Sequence, residues 1–241
     1  MSREVVRLPR ATSTMDEARR LARQGAADGT VVVAEEMTAG RGTHGRAWHA
    51  PKGGLYLSLV LRGVKDPHLL TLALGNAVAD VLEVAGAEPR LKWVNDVWIG
   101  ERKVAGILVE GESTGGNLDF LVAGIGINVN GDPTKFPADL RAVATTLEKE
   151  LGCESCVPDV EALLLETVES WVEKVRDGHE AEIVAAFRTR DLLKGRKVTV
   201  EEAGPSPVKG TAAGIDERGR LVVETAKGKV ALQTGRVLLP S

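Results

Sequence analysis

The residues with the most chemistry in them lie in one stretch, GRGTHGRAW. There Gly40, Gly42 and Gly45 spell G-x-G-x-x-G among the cations Arg41 and Arg46, with His44 beside them. A dinucleotide turn needs this pattern between a strand and a helix, so that the pyrophosphate sits on the helix N-terminus. Upstream, TVVVAEEMTA is rich in β-branched residues and reads as a strand. Downstream, Pro51, Gly53 and Gly54 interrupt any helix, and LYLSLVLR reads as a further strand. The loop therefore joins two strands and is not a dinucleotide turn. Its glycines permit φ > 0 and close backbone approach, and Arg41 carries a planar fork of donors matched to a carboxylate or phosphate. An anion cradle accounts for both features; solvated loop charge is the competing reading.

The two cysteines, Cys153 and Cys156, form one C-x-x-C. That is half of a four-ligand zinc site, with no second pair elsewhere, so no metal site is expected from it. A redox pair belongs at a helix start after a strand, whereas Pro158 and Asp159 open the helix just beyond this one. The pair reads as incidental to a loop.

Around these residues the chain has to build a core. Its 241 residues suffice for one large domain, or one domain and a small one, and folding at this length buries roughly 70–75% of the unfolded surface. A hydrophobic fraction of 43% and a charged fraction of 27% describe a globular protein. The net charge of −3 gives no support for binding nucleic acid through the whole surface, so any basic function is local. No apolar run approaches the about 18 residues that span a bilayer, and MSREVVRLPR lacks a signal-peptide core. No membrane association is expected, and the cytoplasm is the expected compartment.

Thr14-Met-Asp-Glu17 fits a capping box, after which Met15, Ala18, Leu21 and Ala22 share one helical face. Pro67 leads into HLLTLALGNAVADVLEVAG, a buried helix ended by Gly86. RLKWVNDVWIG, KVAGILVEGE and LDFLVAGIGINVN then read as three antiparallel strands, separated by turns such as IGERK and STGGN. A helical block covers about residues 158–190, with Val160, Leu163, Leu164, Val168, Trp171, Val172 and Val175 at helical spacing before Gly178. From about residue 192 come four or five short strands punctuated by AGPSP, DERG and AKGK, which is the pattern of a small, partly open barrel.

Three motifs, GRGTHGRAW, KWVNDVWIGERKVAGILVE and GIGINVN, thus follow the helix start STMDEA and precede a small barrel. In this order and spacing they resemble the biotin protein ligases over essentially the entire chain. The resemblance is to the monofunctional type without an N-terminal DNA-binding domain. It implies an α+β fold: a mixed or antiparallel sheet with packed helices in a class II synthetase-like catalytic domain, residues 1–190, and a C-terminal SH3-like β-barrel, residues 191–241. It further implies an enzyme that makes biotinyl-5′-adenylate and pyrophosphate from biotin and ATP with Mg²⁺. That enzyme then transfers biotin to a lysine of a biotin carboxyl carrier protein.

By the same resemblance Ser13, Thr14, Met15, Met37, Gly40, Arg41, Gly42, Thr43, Lys103, Gly106 and Gly124 lie on the biotin side. Arg41, Arg46, Trp48, Asn95, Asp96, Lys103 and Asn128 lie on the ATP side. Lys103 matches the family's catalytic lysine, with Arg41 as its partner in catalysis. An ammonium there can bridge the biotin carboxylate and the α-phosphate as charge develops. Each position also has a plainer reading: Ser13 and Thr14 as helix caps, Lys103 as a turn lysine, the strand glycines as bulges, Trp48 as core.

Four departures from the family pattern stand out: Met15 for asparagine, Met37 for glutamine, Thr43 for arginine and Val94 for proline. The first two make polar pocket positions apolar, and the third removes a donor to the adenylate. A lipoate protein ligase shares the fold and the acyl-adenylate chemistry, but the loop and the barrel favour the biotin branch. A catalytically dead biotin-binding module is disfavoured by Lys103. A DNA-binding repressor is disfavoured by the dozen residues before Ser13, so no nucleic acid partner is expected. The resemblance also implies that two chains can pair as a homodimer through a sheet edge.

Overall fold

The computed structural model describes residues 4–201 and 206–240. The first three residues of MSREVVRLPR, the Ala-Gly-Pro of AGPSP and Ser241 lie outside the described residues.

The chain opens on β1 (Val5–Leu8), a short strand that no sequence pattern announces. Helix α1 (Thr14–Arg23) follows, and its N-cap is Ser13 rather than Thr14. The expected capping box is absent for a local reason: the Thr14 hydroxyl is engaged by Ser58 and Met37, and Glu17 turns to Arg20, 2.9 Å away. Strands β2 (Val31–Ala34), β3 (Met37–Arg41), β4 (Ala47–Ala50) and β5 (Leu55–Leu61) come next. The glycine loop is the tip of a two-stranded β3–β4 hairpin in which Gly40 faces Trp48 and Arg41 faces Ala47.

Helix α2 (Pro67–Val84) starts where Asp66 accepts from the Leu69 N–H at 2.9 Å, with Pro67 supplying the fixed φ of a first turn. Most of it is buried between layers, and its acidic residues Asp80 and Glu83 are met by Arg190. RLKWVNDVWIG forms two strands, not one: β6 (Pro89–Lys92) and β7 (Asp96–Ile99). Between them Trp93 sends its indole N–H to the Gly219 carbonyl and Asn95 sends its amide to the Ile107 carbonyl, so the strand is broken and folded back. The Trp93–Val94 peptide is cis. The long strands β8 (Arg102–Thr114) and β9 (Asn117–Ile127) complete a seven-stranded sheet of order β1-β2-β5-β9-β8-β7-β6, parallel at β1–β2 and antiparallel elsewhere.

Strand alternation sorts this sheet into two faces. Leu55, Leu57, Leu59 and Leu61 of β5, Ala123, Ile125 and Ile127 of β9, and Ala105 and Ile107 of β8 join the main core with α2. The same core takes residues from the short α3 (Leu147–Leu151), from α4 (Val157–Arg176) and from α5 (Glu180–Thr189). The helical block expected over 158–190 is therefore two helices, parted at Gly178 in the left-handed region (φ 75°). On the opposite face, Met15, Ala18 and Ala22 of α1 cover Val32, Val60, Phe120 and Val122 in a second, smaller cluster. Beyond the end of α1, the residues in register on that face are Gly106, Gly124 and Gly126. The sheet is left open there.

The remaining strands, β10 (Lys197–Glu201), β11 (Val208–Ile215), β12 (Leu221–Thr225), β13 (Gly228–Leu232) and β14 (Arg236–Leu238), form a five-stranded antiparallel sheet of order β13-β12-β11-β10-β14. Its residues share the main core, and one of its carbonyls meets both α2 and the β6–β7 connection. Gly219 O lies 2.9 Å from Trp93 Nε1 and 2.9 Å from His68 Nε2. The fold is α+β. Among the described residues no helix is long and apolar enough to cross a membrane.

Candidate active site

The open face of the large sheet forms the floor of a cavity of about 1040 Å³, walled by the N-terminus of α1, the β3–β4 hairpin, β6–β8 and the chain end after Gly235. Ser13, Thr14, Met15, Met37, Gly40, Arg41, Gly42, Thr43, Arg46, Trp48, Asn95, Asp96, Lys103, Gly106, Gly124 and Asn128, the positions to which the motif resemblance points, all border it.

Lys103 is fixed by its backbone on two sides. Its N–H donates to the Val143 carbonyl at 2.8 Å, and its carbonyl accepts from Thr145 N–H at 2.9 Å. The ammonium reaches Asp96 Oδ1 at 2.5 Å and lies 5.2 Å from the centroid of the Trp48 ring. Trp48 in turn lies flat against the floor: a side chain at Gly126 would place its Cβ 2.7 Å from the indole, and one at Gly106 would meet it at 3.1 Å. At Gly126 the aromatic ring occupies the space a Cβ would take, and at Gly106 a Cβ would be in tight contact with the ring and with Lys103. Trp48 Nε1 is buried and has no hydrogen-bond partner among the described residues.

The glycine loop holds its cations on the protein's own acceptors. Arg41 Nη1 donates to Asp16 Oδ1 at 2.5 Å, with Glu110 3.6 Å from Nη2. Arg46 folds back onto Thr43, its Nη2 3.0 Å from the threonine hydroxyl. Thr43 thus fixes the orientation of Arg46. His44 adopts the left-handed region (φ 58°), which sharpens the loop tip. The amides of the nucleotide-side motifs are oriented by backbone: Asn95 Nδ2 donates to Ile107 O at 2.8 Å and Asn128 Nδ2 to Thr145 O at 3.0 Å. Each leaves its amide oxygen on the other arm.

Two features of the cavity escape sequence reasoning. Lys92, three residues before Asn95, borders it and lies 5.0 Å from the centroid of the Trp98 ring. Burial pushes its ammonium below the ordinary lysine value. The nearby Asp96 partly offsets this, while Lys103, Arg46 and Arg236 add to it. The last strand of the second sheet supplies Arg236 and the segment to Pro240 as a wall. Lys92 had a signal, since it shares the KWVND motif; the wall had none, because it depends on how two sheets dock. Cys153 and Cys156 are exposed and free, away from the cavity-lining residues.

Fold and site together define an α+β protein with a cavity on one face of its main sheet, bordered by Arg41, Arg46, Lys92 and Lys103, and a second, small sheet closing one wall. Comparison with known proteins gives this class a family. Residues 7–128 match the model of the biotin/lipoate A/B protein ligase family, and residues 194–239 match that of the biotin protein ligase C terminal domain. The chain is 36% identical to the biotin--[acetyl-CoA-carboxylase] ligase of Mycobacterium tuberculosis, over 88% of this chain and 79% of that protein. It is 34% identical to the bifunctional ligase/repressor BirA of Bacillus subtilis, over 90% of this chain and 68% of the relative. The solved biotin protein ligase from Aquifex aeolicus in complex with biotin and ATP superposes with a TM-score of 0.87 at 30% identity, covering 99% of each chain. The chain belongs to the biotin/lipoate A/B protein ligase family, in its biotin protein ligase branch.

Proposed function

We propose that this chain activates biotin with ATP and transfers it to a lysine of a biotin carboxyl carrier protein in the cytoplasm. In the first step a biotin carboxylate oxygen attacks the α-phosphorus, the bond to the β-phosphate oxygen breaks, and pyrophosphate leaves. In the second, the acceptor amine attacks the acyl carbon, AMP leaves, and the amine loses a proton. The observation that carries the reading is the placement of Lys103. Its ammonium is held between Asp96 and Trp48 beside Gly106, in the cavity that Arg41 and Arg46 also border.

The residues divide the work by chemistry. Ser13 and Thr14 at the α1 end hold the ring. Arg41 and Lys103 meet the carboxylate and the α-phosphate, where negative charge accumulates and fixed donors count most. Trp48, Asn95 and Asn128 border the nucleotide, and Arg46 and Lys92 face its phosphates. Among the described residues no three His, Cys, Asp or Glu side chains are placed to hold a metal ion. We assign Mg²⁺ to the phosphates of ATP, where one or two carboxylates suffice, with Asp96 as an oxygen donor that can meet it.

The test is pyrophosphate release with ATP and Mg²⁺, comparing biotin with lipoate, followed by mass analysis of an added carrier domain. Biotin should drive release and label one lysine. Equal or greater turnover with lipoate refutes the assignment.

A further inference from the structure

Four cations that border the cavity come from four separate places in the chain: Arg46 in the loop before β4, Lys92 at the end of β6, Lys103 on β8 and Arg236 at the start of β14. They meet around Lys92. Burial pushes its ammonium below the ordinary lysine value, Asp96 offsets part of that fall, and Lys103, Arg46 and Arg236 each deepen it, as close like charges do. Lys103 holds the close carboxylate, Asp96. The others rest on softer partners: Lys92 on the face of Trp98, Arg46 on the hydroxyl and carbonyl of Thr43, and Arg236 with Nη1 3.7 Å from Glu201, outside hydrogen-bond reach. Pyrophosphate needs fewer groups than this. With Lys103 at the α-phosphate and Arg46 and Lys92 on the phosphates beyond it, Arg236 is left over, its side chain 44% exposed on the wall that the second sheet supplies.

We propose that these cations form a subsite for a linear triphosphate, with Arg236 meeting the phosphate farthest from the adenylate, and that the chain transfers the adenylyl group to such an anion as a second reaction. The proposal rests on the acid-activating function above. Once pyrophosphate has left, the adenylate stays, and the cations that held the leaving group keep the positions that strand pairing and the docking of two sheets give them. A longer anion then enters by the path that pyrophosphate takes in the reverse of the first step. Its terminal oxygen attacks the α-phosphorus of the biotinyl-adenylate, the bond to the acyl oxygen breaks, and biotin leaves as its carboxylate. Inorganic tripolyphosphate gives adenosine 5′-tetraphosphate, and a second ATP gives diadenosine tetraphosphate. No other reactant is consumed. Each phosphate meets a fixed cation through charge-assisted contacts, and the farthest has one because the second sheet brings Arg236 to the cavity.

The experiment loads the full chain with biotin and labelled ATP, removes free ligand, and mixes the bound adenylate with Mg²⁺ and one of three anions: pyrophosphate, tripolyphosphate or unlabelled ATP. Anion-exchange chromatography and mass analysis identify the labelled product. Pyrophosphate should return ATP, tripolyphosphate should give adenosine tetraphosphate, and ATP should give diadenosine tetraphosphate; either tetraphosphate supports the subsite, and the arm in which it forms identifies the source of the triphosphate. Arg236→Ala, with thermal unfolding as a control, should lose about tenfold more rate with tripolyphosphate than with pyrophosphate, as expected for one charge-assisted contact made by the longer anion alone. The wild-type products decide the matter even where the variant fails to fold. Bound adenylate that still labels a carrier domain but yields neither tetraphosphate overturns the inference and leaves the proposed function standing. A folded Arg236→Ala that loses equal rate with both anions overturns it too. Failure to form any bound adenylate during loading overturns the proposed function itself and the inference with it.

Discussion

Lys103→Ala isolates the group on which the proposed chemistry depends. The wild-type ammonium is placed by strand pairing and by the two backbone hydrogen bonds to the 143–145 segment, so its position is set before substrate arrives. Its side chain is 24% exposed and its partner Asp96 15% exposed. The cation therefore acts where water screens it only in part. Removing one preorganised donor to developing charge costs about 10²–10³ in rate. That range is the expectation for single-turnover adenylation by Lys103→Ala. The fold should survive, because the backbone bonds that define β8 and its neighbour do not involve the side chain.

A structural role for the same lysine, as mere partner to Asp96, predicts something else. Lys103→Arg keeps a cation within reach of the carboxylate, but its planar fork cannot put a compact charge at the ammonium's position. Under the catalytic reading Arg restores thermal stability and not the rate; under the structural reading it restores both. Rapid quench with α-labelled ATP and biotin measures the rate, and thermal unfolding measures the fold. Near-normal single-turnover adenylation in Lys103→Ala, or full recovery of rate in Lys103→Arg, refutes the role proposed for this residue.

Lys92→Met should raise the thermal midpoint while raising the KM for ATP, since it deletes a buried charge that faces the phosphates. Folded Lys92 releases its proton at a lower pH than the unfolded chain, so wild-type stability should climb with pH through that alkaline window and the variant's should not. Loss of stability with unchanged KM would contradict both statements. Asp191, 5% exposed, has Oδ1 on the Leu193 N–H at 2.8 Å and Oδ2 buried without a partner among the described residues; burial pushes its carboxyl above the ordinary range. The wild type therefore loses stability as pH rises from the ordinary value to the raised one, and Asp191→Asn escapes that loss. Its midpoint should exceed the wild type's at pH 7, by roughly 2–4 °C for each kcal/mol recovered in a chain of this size. The advantage should shrink as the pH falls through the window, and scanning calorimetry across pH 3–8 checks it.

What the sequence disclosed about this fold follows from the range of the interactions involved. The glycine loop was legible by exclusion, because Pro51, Gly53 and Gly54 forbid the helix that a dinucleotide turn requires. The helix after Pro67 and the run LYLSLVL were legible because local pattern and burial agree there. Where side-chain partners override local pattern, the pattern alone misleads. Thr14 looks like a cap until Ser58 and Met37 claim its hydroxyl, and RLKWVNDVWIG looks like one strand until Trp93 is drawn to a carbonyl more than a hundred residues away. Lys92 carries a sequence signal only through the KWVND motif it opens, since its burial depends on what packs around it. The wall from Gly235 to Pro240 is of the same kind, being created by docking and not by any residue in it.

The charges around the cavity show how a fold can carry a cluster of cations before it meets an anion. A partly buried cation left alone is costly, so each needs an acceptor in the ligand-free chain. Asp96 holds Lys103, Asp16 and Glu110 hold Arg41, the Thr43 hydroxyl and carbonyl hold Arg46, and the face of Trp98 lies against Lys92. Binding of a carboxylate and a triphosphate is then an exchange of partners. The net gain per contact is the difference between two charge-assisted bonds, well short of the full strength of one. The acceptors differ in kind, and that difference orders the exchange. Thr43 is neutral and yields Arg46 to a phosphate at small cost, whereas drawing Arg41 away from Asp16 and Glu110 leaves their charge to Arg19 alone. The hairpin tip is therefore the part of the cradle that can engage phosphate first, and the Arg41 end is the part whose rearrangement has to be driven by the charge of both substrates together.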